Sequence, residues 1–132
     1  NEYIEMLLIS MSDRYIKRIR IVYLFFLMTK SWNQRCYALL KKVPSGRVTT
    51  YKAIAQALGT QAYRAVGRAM NKNPDAPAIP CHRVVKSDGS LGGFASGEAE
   101  KIKRLQAEGV KIHQGKVKNF VRLLYLFPKK PS

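Results

Sequence analysis

The sequence predicts a mainly α domain with short β pieces, winged-helix-like and organised around a helix-turn-helix. Three observations carry that expectation. Four segments between residues 31 and 109 carry helical patterning or helix-end signals. Two of them, Tyr51–Leu58 and Gln61–Met70, are joined by almost no connector. The remaining stretches are short and broken by Gly and Pro, which leaves room only for strands of a few residues.

A chain of 132 residues supports one compact domain with a modest core. Its 46% hydrophobic content excludes wholesale disorder. Charge is the outlier, with 24 Lys+Arg against 8 Asp+Glu and a net charge of +16. Such an excess costs self-repulsion and fits a polyanionic partner; the alternative is a basic surface that serves solubility alone. Two cysteines, Cys36 and Cys81, exclude a disulfide framework and a Cys-based zinc site, and suit a reducing compartment.

Residues 1–30 read as a short N-terminal extension, hydrophobic and basic, with no legible chemistry. The chain opens on Asn1, so its start reads as processed or incomplete. The apolar run Ile21–Met28 is too short to span a bilayer, and no small-residue cleavage pattern follows it. A buried strand or short helix is the expectation there.

Ser31–Lys42 reads as an amphipathic helix, with Ser31 as N-cap and Trp32, Cys36, Leu39 and Leu40 on its apolar stripe. Val43-Pro44-Ser45-Gly46 ends it in a turn. Thr49 or Thr50 caps Tyr51–Leu58, which Gly59 stops. Thr60 caps Gln61–Met70, whose core face is Ala62, Ala65, Val66, Ala69 and Met70. Arg64, Gly67 and Arg68 lie away from that face. Small side chains such as Ala62 and Gly67 would let a nucleic-acid backbone approach; a helical hairpin with no such partner fits the same pattern.

Asn71–Pro80 is a Pro-punctuated loop leading to Cys81. Ser87-Asp88-Gly89-Ser90 reads as a hairpin turn, and Gly92-Gly93-Phe94-Ala95-Ser96-Gly97 as a flexible lip. Ser96 is the expected N-cap of a last helix that reaches Glu108 and stops at Gly109. The helix-turn-helix domain spans 31–113, followed by a basic tail over 114–132. A hairpin pairing Val110–Ile112 with Val117–Phe120 spans the junction, and the extreme C-terminus is expected to fray.

Chemistry centres on Ile79-Pro80-Cys81-His82-Arg83-Val84-Val85. A thiol becomes a strong nucleophile only as thiolate, and a neighbouring imidazole or cation favours that form. Pro80 fixes its own φ and pushes Ile79 out of the helical region, so a rigid, non-helical entry is expected at the thiol. The other reading is a buried structural Cys beside an ordinary His. Glu108, at the negative end of its helix, is either a surface carboxylate or the partner of a cation such as His82. The second option assembles Cys81, His82 and Glu108 in the order nucleophile, base, orienting carboxylate. Tyr51 is core or a proton donor, Arg64 a solvated cation or a wedge for a base stack, and Asn73 a turn cap or a brace to the cysteine loop.

Arg64-Ala65-Val66-Gly67, Asn73-Pro74, the run from Ile79 to Val85, Gly92-Gly93-Phe94 and Glu108-Gly109 together resemble the O6-alkylguanine-DNA alkyltransferases, the methylated-DNA–protein-cysteine methyltransferases. The resemblance runs from about Ser31 to Val110. It implies a DNA-repair protein that flips a damaged guanine and moves its alkyl group irreversibly onto Cys81, once per molecule, with no cofactor and no metal. On that mapping His82 and Glu108 activate the thiol through a water, Tyr51 assists the leaving guanine and crowds the DNA backbone phosphate, and Asn73 braces the helix-turn-helix against the active site. Arg64 fills the gap in the duplex, and Ala62, Gly67 and Arg68 face DNA through the minor groove. Val84 and the lip Gly92, Gly93, Phe94, Ala95 and Ser96 line the pocket. A monomer in the cytoplasm on the nucleoid, or in a nucleus, with no membrane partner, completes the expectation.

The chain departs from the family's usual pattern in three places. Residues 1–30 are too few for the usual N-terminal α/β domain, Phe94 stands where Tyr is common, and Asp75-Ala76-Pro77-Ala78 is smaller and more polar than the usual approach to the cysteine. Glu108-Gly109-Val110 also resembles the alkyltransferase-like proteins, which bind alkylated guanine without a reactive cysteine.

Overall fold

The computed structural model describes residues 31–128 together with Arg18. The apolar run at 21–28 and the closing residues 129–132 lie outside the described residues. The chain divides between Ser31 and Trp32, and the unit that starts at Trp32 carries the helices and strands that follow.

Helix α1, Trp32–Leu40, buries Cys36, Tyr37 and Leu40. Cys36 is therefore core, as its place on the apolar stripe requires. The Tyr37 hydroxyl donates to the Ala69 carbonyl at 2.8 Å and ties α1 to the third helix. Strand β1 is only Thr49–Thr50. Thr50 is extended, and its Oγ1 accepts the Ala53 N–H at 2.9 Å, so one residue ends the strand and caps α2, Tyr51–Ala57. Gly59 takes φ +76, and Gly59 and Thr60 donate to the Gln56 and Ala55 carbonyls, a Schellman close.

Helix α3 is Tyr63–Asn71, two residues later than the expected start at 61. The Thr60 hydroxyl takes the Ala62 N–H at 3.2 Å, and that local turn delays the helix. Ala62 becomes an exposed N-cap and leaves the core face, which is Val66, Ala69 and Met70. Helices α1 to α3 pack on one apolar cluster that also contains Ile79, Cys81 and Val84.

Strand β2, Val84–Val85, pairs parallel with β1, Thr49 opposite Val84 and Thr50 opposite Val85. On the other edge of β1, Val48 bridges Leu124, with the Tyr125 N–H on the Val48 carbonyl at 2.7 Å. Thr49 Oγ1 and Arg47 Nη2 donate to the Tyr125 and Leu124 carbonyls at 2.9 and 2.6 Å. Residues beyond 113 thus return to the domain as a structural part of it. The reason is elementary: a two-residue strand has unpaired groups on both edges, and this segment satisfies the second.

Helix α4, Glu98–Ala107, starts at Gly97, not at Ser96. Gly97 sits at φ 94, ψ 156, a conformation that excludes the expected side-chain cap; Glu98 and Glu100 meet the positive helix end instead. A second Schellman close ends α4, with Gly109 at φ +88 and Glu108 as C-cap. Strands β3 (Ile112–His113) and β4 (Lys116–Val117) form an antiparallel hairpin, shorter than expected. Gln114 and Gly115 both take positive φ, as a two-residue type I′ turn needs. Asn119 at φ 56 then turns the chain into α5, Phe120–Leu123, so Phe120 is helical instead of a strand end. Val48, Val85, Leu91, Leu105, Val110 and Val117 form a second apolar cluster under α4 and the hairpin. Among the described residues no helix is long and apolar enough to cross a membrane.

Candidate active site

Pro80, at φ −83 and ψ 66, bends the chain so that the Cys81 N–H reaches the Ile79 carbonyl at 2.9 Å, an inverse γ-turn. Cys81–Arg83 then form one 3₁₀ turn. The expected non-helical entry is thus a single residue long, and the thiol itself opens a helical turn. Cys81 and His82 are 7% and 2% exposed, which puts both inside the molecule. Asn73 holds the preceding loop: its Nδ2 donates to the Ile79 carbonyl at 2.6 Å and its Oδ1 accepts from the Asp75 N–H.

Glu108 is the electrostatic centre. Its position as C-cap of α4 is adverse for a carboxylate, and three donors reverse the balance. Arg83 grips it in a bidentate fork, Nε to Oε2 and Nη2 to Oε1, both at 2.9 Å. His82 Nε2 lies 2.5 Å from Oε1, and the Gly46 N–H reaches Oε2 at 3.3 Å. Burial alone raises the carboxyl's pKa, yet the hydrogen bonds from Arg83, His82 and Gly46 outweigh it and hold the group at about 2. A further Arg83 bond, Nη1 to the Val43 carbonyl at 2.8 Å, anchors the cluster to the turn after α1.

The ionised Glu108 can only accept, so His82 Nε2 carries the imidazole proton. Burial pushes the His82 pKa down; the Glu108 contact opposes this, and the cations Arg83 and Arg104 reinforce it. The ring is therefore neutral at pH 7, with its lone pair on Nδ1. That nitrogen is buried and has no hydrogen-bond partner among the described residues. A base with a fixed tautomer and an unengaged lone pair sits next in sequence to a buried thiol.

Lys101 was absent from the residues singled out by sequence, and it is 0% exposed. Its Nζ donates to the Val84 carbonyl at 2.6 Å and to the Leu91 and Gly93 carbonyls, the end of the cysteine turn and the start of the lip. The ammonium also lies about 6 Å from the Tyr51 and Phe94 rings. Burial lowers its pKa to about 8, against the facing Cys81 and Glu98. A sequence signal existed: Lys101, Leu105 and Glu108 follow the i, i+4, i+7 spacing of one helix face, which places a lysine on the buried side. By sequence Arg83 is only a cation near the thiol; its grip on Glu108 depends on the fold, which joins residues 25 positions apart.

A family model described as 6-O-methylguanine DNA methyltransferase, DNA binding domain, matches residues 31–110. The chain belongs to this family. A methylated-DNA–protein-cysteine methyltransferase of Metallosphaera sedula is 48% identical over 92 residues, 70% of this chain and 58% of the relative. A bifunctional methyltransferase/endonuclease of Picrophilus torridus is 48% identical over 82 residues, 61% of this chain and 28% of the relative. The chain thus spans under two thirds of these relatives' length. The O6-methylguanine-DNA methyltransferase of Pyrococcus kodakaraensis superposes with a TM-score of 0.57 at 44% identity, covering 62% of this chain and 48% of that one. S. pombe Atl1, in complex with damaged DNA containing O6-carboxymethylguanine, gives 0.63 at 32% identity, covering 75% and 94%. The mainly helical fold with short strands is that of these structures.

Cys81, Val84, Tyr51 and Phe94 share the first apolar cluster, His82 meets Glu108 at the C-terminal end of α4, and Asn73 holds the loop before the cysteine, whereas Ala62, Arg64 and Arg68 are exposed at α3. Tyr51 is half-buried; its hydroxyl donates to the Gly93 carbonyl at 3.4 Å. Burial, then the facing Cys81, raise its pKa, so it stays a donor. Val84 is fully buried by its side chain and meets the site through its carbonyl. Gly92 at φ +73 brings the lip against Tyr51, where a Cβ would stand 3.3 Å from the hydroxyl. Gly93, Ala95 and Ser96 are exposed, and Phe94 packs on the first apolar cluster. Gly67 is half-buried with open space where a Cβ would go.

Two titrations of opposite sign follow. Glu108 ionises at about 2 against an ordinary 4.5, so its contribution is full above that ordinary value and is lost as pH falls through the folded one. Urea midpoints measured from about pH 5 down to about pH 2 should fall more steeply for the native chain than for Glu108→Gln. Equal slopes contradict the clamp. Lys101 ionises at about 8 against 10.5, so the unfolded chain binds more protons between those values and stability rises with pH there. Lys101→Met should remove that rise in midpoints compared at about pH 7 and about pH 10; an identical rise in the variant would place the titration elsewhere.

Proposed function

We propose that this protein repairs alkylated DNA by accepting the alkyl group of O6-alkylguanine on Cys81, in a single irreversible turnover. The observation that carries the reading is the Cys81–His82–Glu108 arrangement inside the family's domain, with Nε2 of His82 bound at 2.5 Å to the carboxylate and Nδ1 unengaged. His82 Nδ1 takes the Cys81 proton, directly or through one water, and Glu108 stabilises the imidazolium that results. The thiolate attacks the alkyl carbon. A carbon–sulfur bond forms, the bond from carbon to O6 breaks, and its electron pair stays on the purine. Tyr51 offers a proton or hydrogen bond to the departing guanine. The thioether resists hydrolysis, which ends the cycle; neither metal nor cofactor enters the scheme.

The base must leave the duplex first, at a cost of a few kcal/mol that a damaged pair reduces. Helices α2 and α3 serve as the helix-turn-helix, in the minor groove, with Arg68 near the backbone and Arg64 filling the gap left by the base. Exposed Ala62 and the open space at Gly67 suit close approach of DNA. Asn73 braces those helices against the cysteine loop, while Val84, through its backbone, and the lip Gly92–Ser96 enclose the flipped base. The protein acts as a monomer, with residues 1–30 as an extension to the working unit.

A second reading is lesion binding without transfer, favoured by the likeness to Atl1, of whose chain 94% is covered. The retained Cys81 favours chemistry. Incubation with a duplex containing O6-methylguanine, followed by intact-mass and peptide measurement, separates the two. One methyl group should appear on Cys81 and never in Cys81→Ser. Tight lesion-selective binding with unchanged mass would establish the second reading and overturn the first.

A further inference from the structure

Beyond the helix-turn-helix, the β3–β4 hairpin carries a charge pattern that folding alone does not explain. Ile112 stands opposite Val117 and His113 opposite Lys116, and the Lys118 N–H on the Lys111 carbonyl at 2.8 Å extends the register by one pair. Side chains alternate across a strand, so Ile112 and Val117 share the inner face, where Val117 is buried. Lys111, His113, Lys116 and Lys118 share the outer face, and all four are exposed.

Like charges directly opposite one another destabilise a hairpin. Lys116 has Asp88 nearby, which offsets part of its charge. Lys111, His113 and Lys118 form no ion pair among the described residues. No Asp or Glu occurs from Gly109 to Ser132. These three residues line an open hollow of about 420 Å³ together with Gln106, Gly109, Val110 and Ile112. The hairpin is also rigidly seated: its type I′ turn is tight, the Leu91 N–H donates to the Gly115 carbonyl at 3.2 Å, and the Val117 N–H donates to the Gly89 carbonyl at 3.0 Å. A fixed, uncompensated cationic face is what a partner with regularly spaced anions requires.

We propose that the outer face of the β3–β4 hairpin, through Lys111, Lys118 and His113, is a second contact for the phosphate backbone of double-stranded DNA, separate from α2 and α3. The hairpin rests on the second apolar cluster and those helices on the first, so the two surfaces belong to different parts of the core. The inference rests on the repair reading for its partner, and it assigns no role to the hairpin in the alkyl transfer.

The test is the double variant Lys111→Gln/Lys118→Gln, titrated with a lesion-free duplex of about 20 base pairs across a salt series. Affinity at low salt should fall roughly tenfold, and the slope of log affinity against log salt should shrink by about one to two. The thermal midpoint should hold or rise, because a cross-strand repulsion is gone. Reaction of Cys81 with free O6-benzylguanine should be unchanged, since it needs no phosphate. An unchanged slope in the variant, with normal duplex binding by the native chain, overturns the hairpin contact and leaves the repair reading standing. Loss confined to single-stranded RNA overturns the assignment to duplex DNA. A native chain that alkylates with the free base yet ignores duplex overturns the partner itself.

Discussion

Everything at the reactive end of this domain depends on one carboxylate being ionised where a helix would rather not have it. Glu108 caps the negative end of α4, and only the fork of Arg83, the Nε2–H of His82 and the Gly46 N–H make that placement favourable. The geometry around it is tight. Gly46 takes φ +86, and a Cβ there would stand 3.3 Å from the Glu108 carbonyl. Gly109 in turn lets the chain leave the helix in a Schellman close without moving its C-cap. Two glycines and an arginine, none of them the base itself, thus decide the tautomer of the imidazole beside the thiol.

Helix α4 does this work from both of its ends. At the C-terminus Glu108 orients His82; two turns earlier Lys101 gathers the Val84, Leu91 and Gly93 carbonyls. A buried ammonium is expensive unless its protons are used, and here each finds a carbonyl. The cysteine turn and the lip are therefore held to the same rigid element. The parallel pair of β1 and β2 adds a further tie, because Thr50 closes that strand and opens α2 in one residue. Displacement of α4 would disturb nucleophile, base and lip together.

Much of this was legible in the amino-acid sequence wherever the determining physics is local. A threonine cap before Tyr51, Gly59 and Gly109 as stops, Cys36 as core and the turn at Gly89 follow from residue type and neighbours within one helical turn; the structure selects Thr50 over Thr49 as the cap. The pairing of His82 with Glu108 could be anticipated because the carboxylate's position was otherwise adverse. Ser96 misled, because Gly97 adopts a conformation only glycine accepts and the cap passed to it. Ala62 misled, because the Thr60 hydroxyl captured a backbone N–H before the helix could begin. The β1–β2 pair, the return of Leu124 to Val48 and the carbonyls around Lys101 join residues far apart in the chain, and no local rule reaches them.

The sharpest question concerns the imidazole, since the thiol's activation rests on which nitrogen bears its proton. Nitrogen NMR of the His82 ring at neutral pH answers it directly. A neutral ring protonated at Nε2 with a bare Nδ1 is expected, with loss of that preference in Glu108→Gln. A ring protonated at Nδ1, or at both nitrogens, would contradict this assignment.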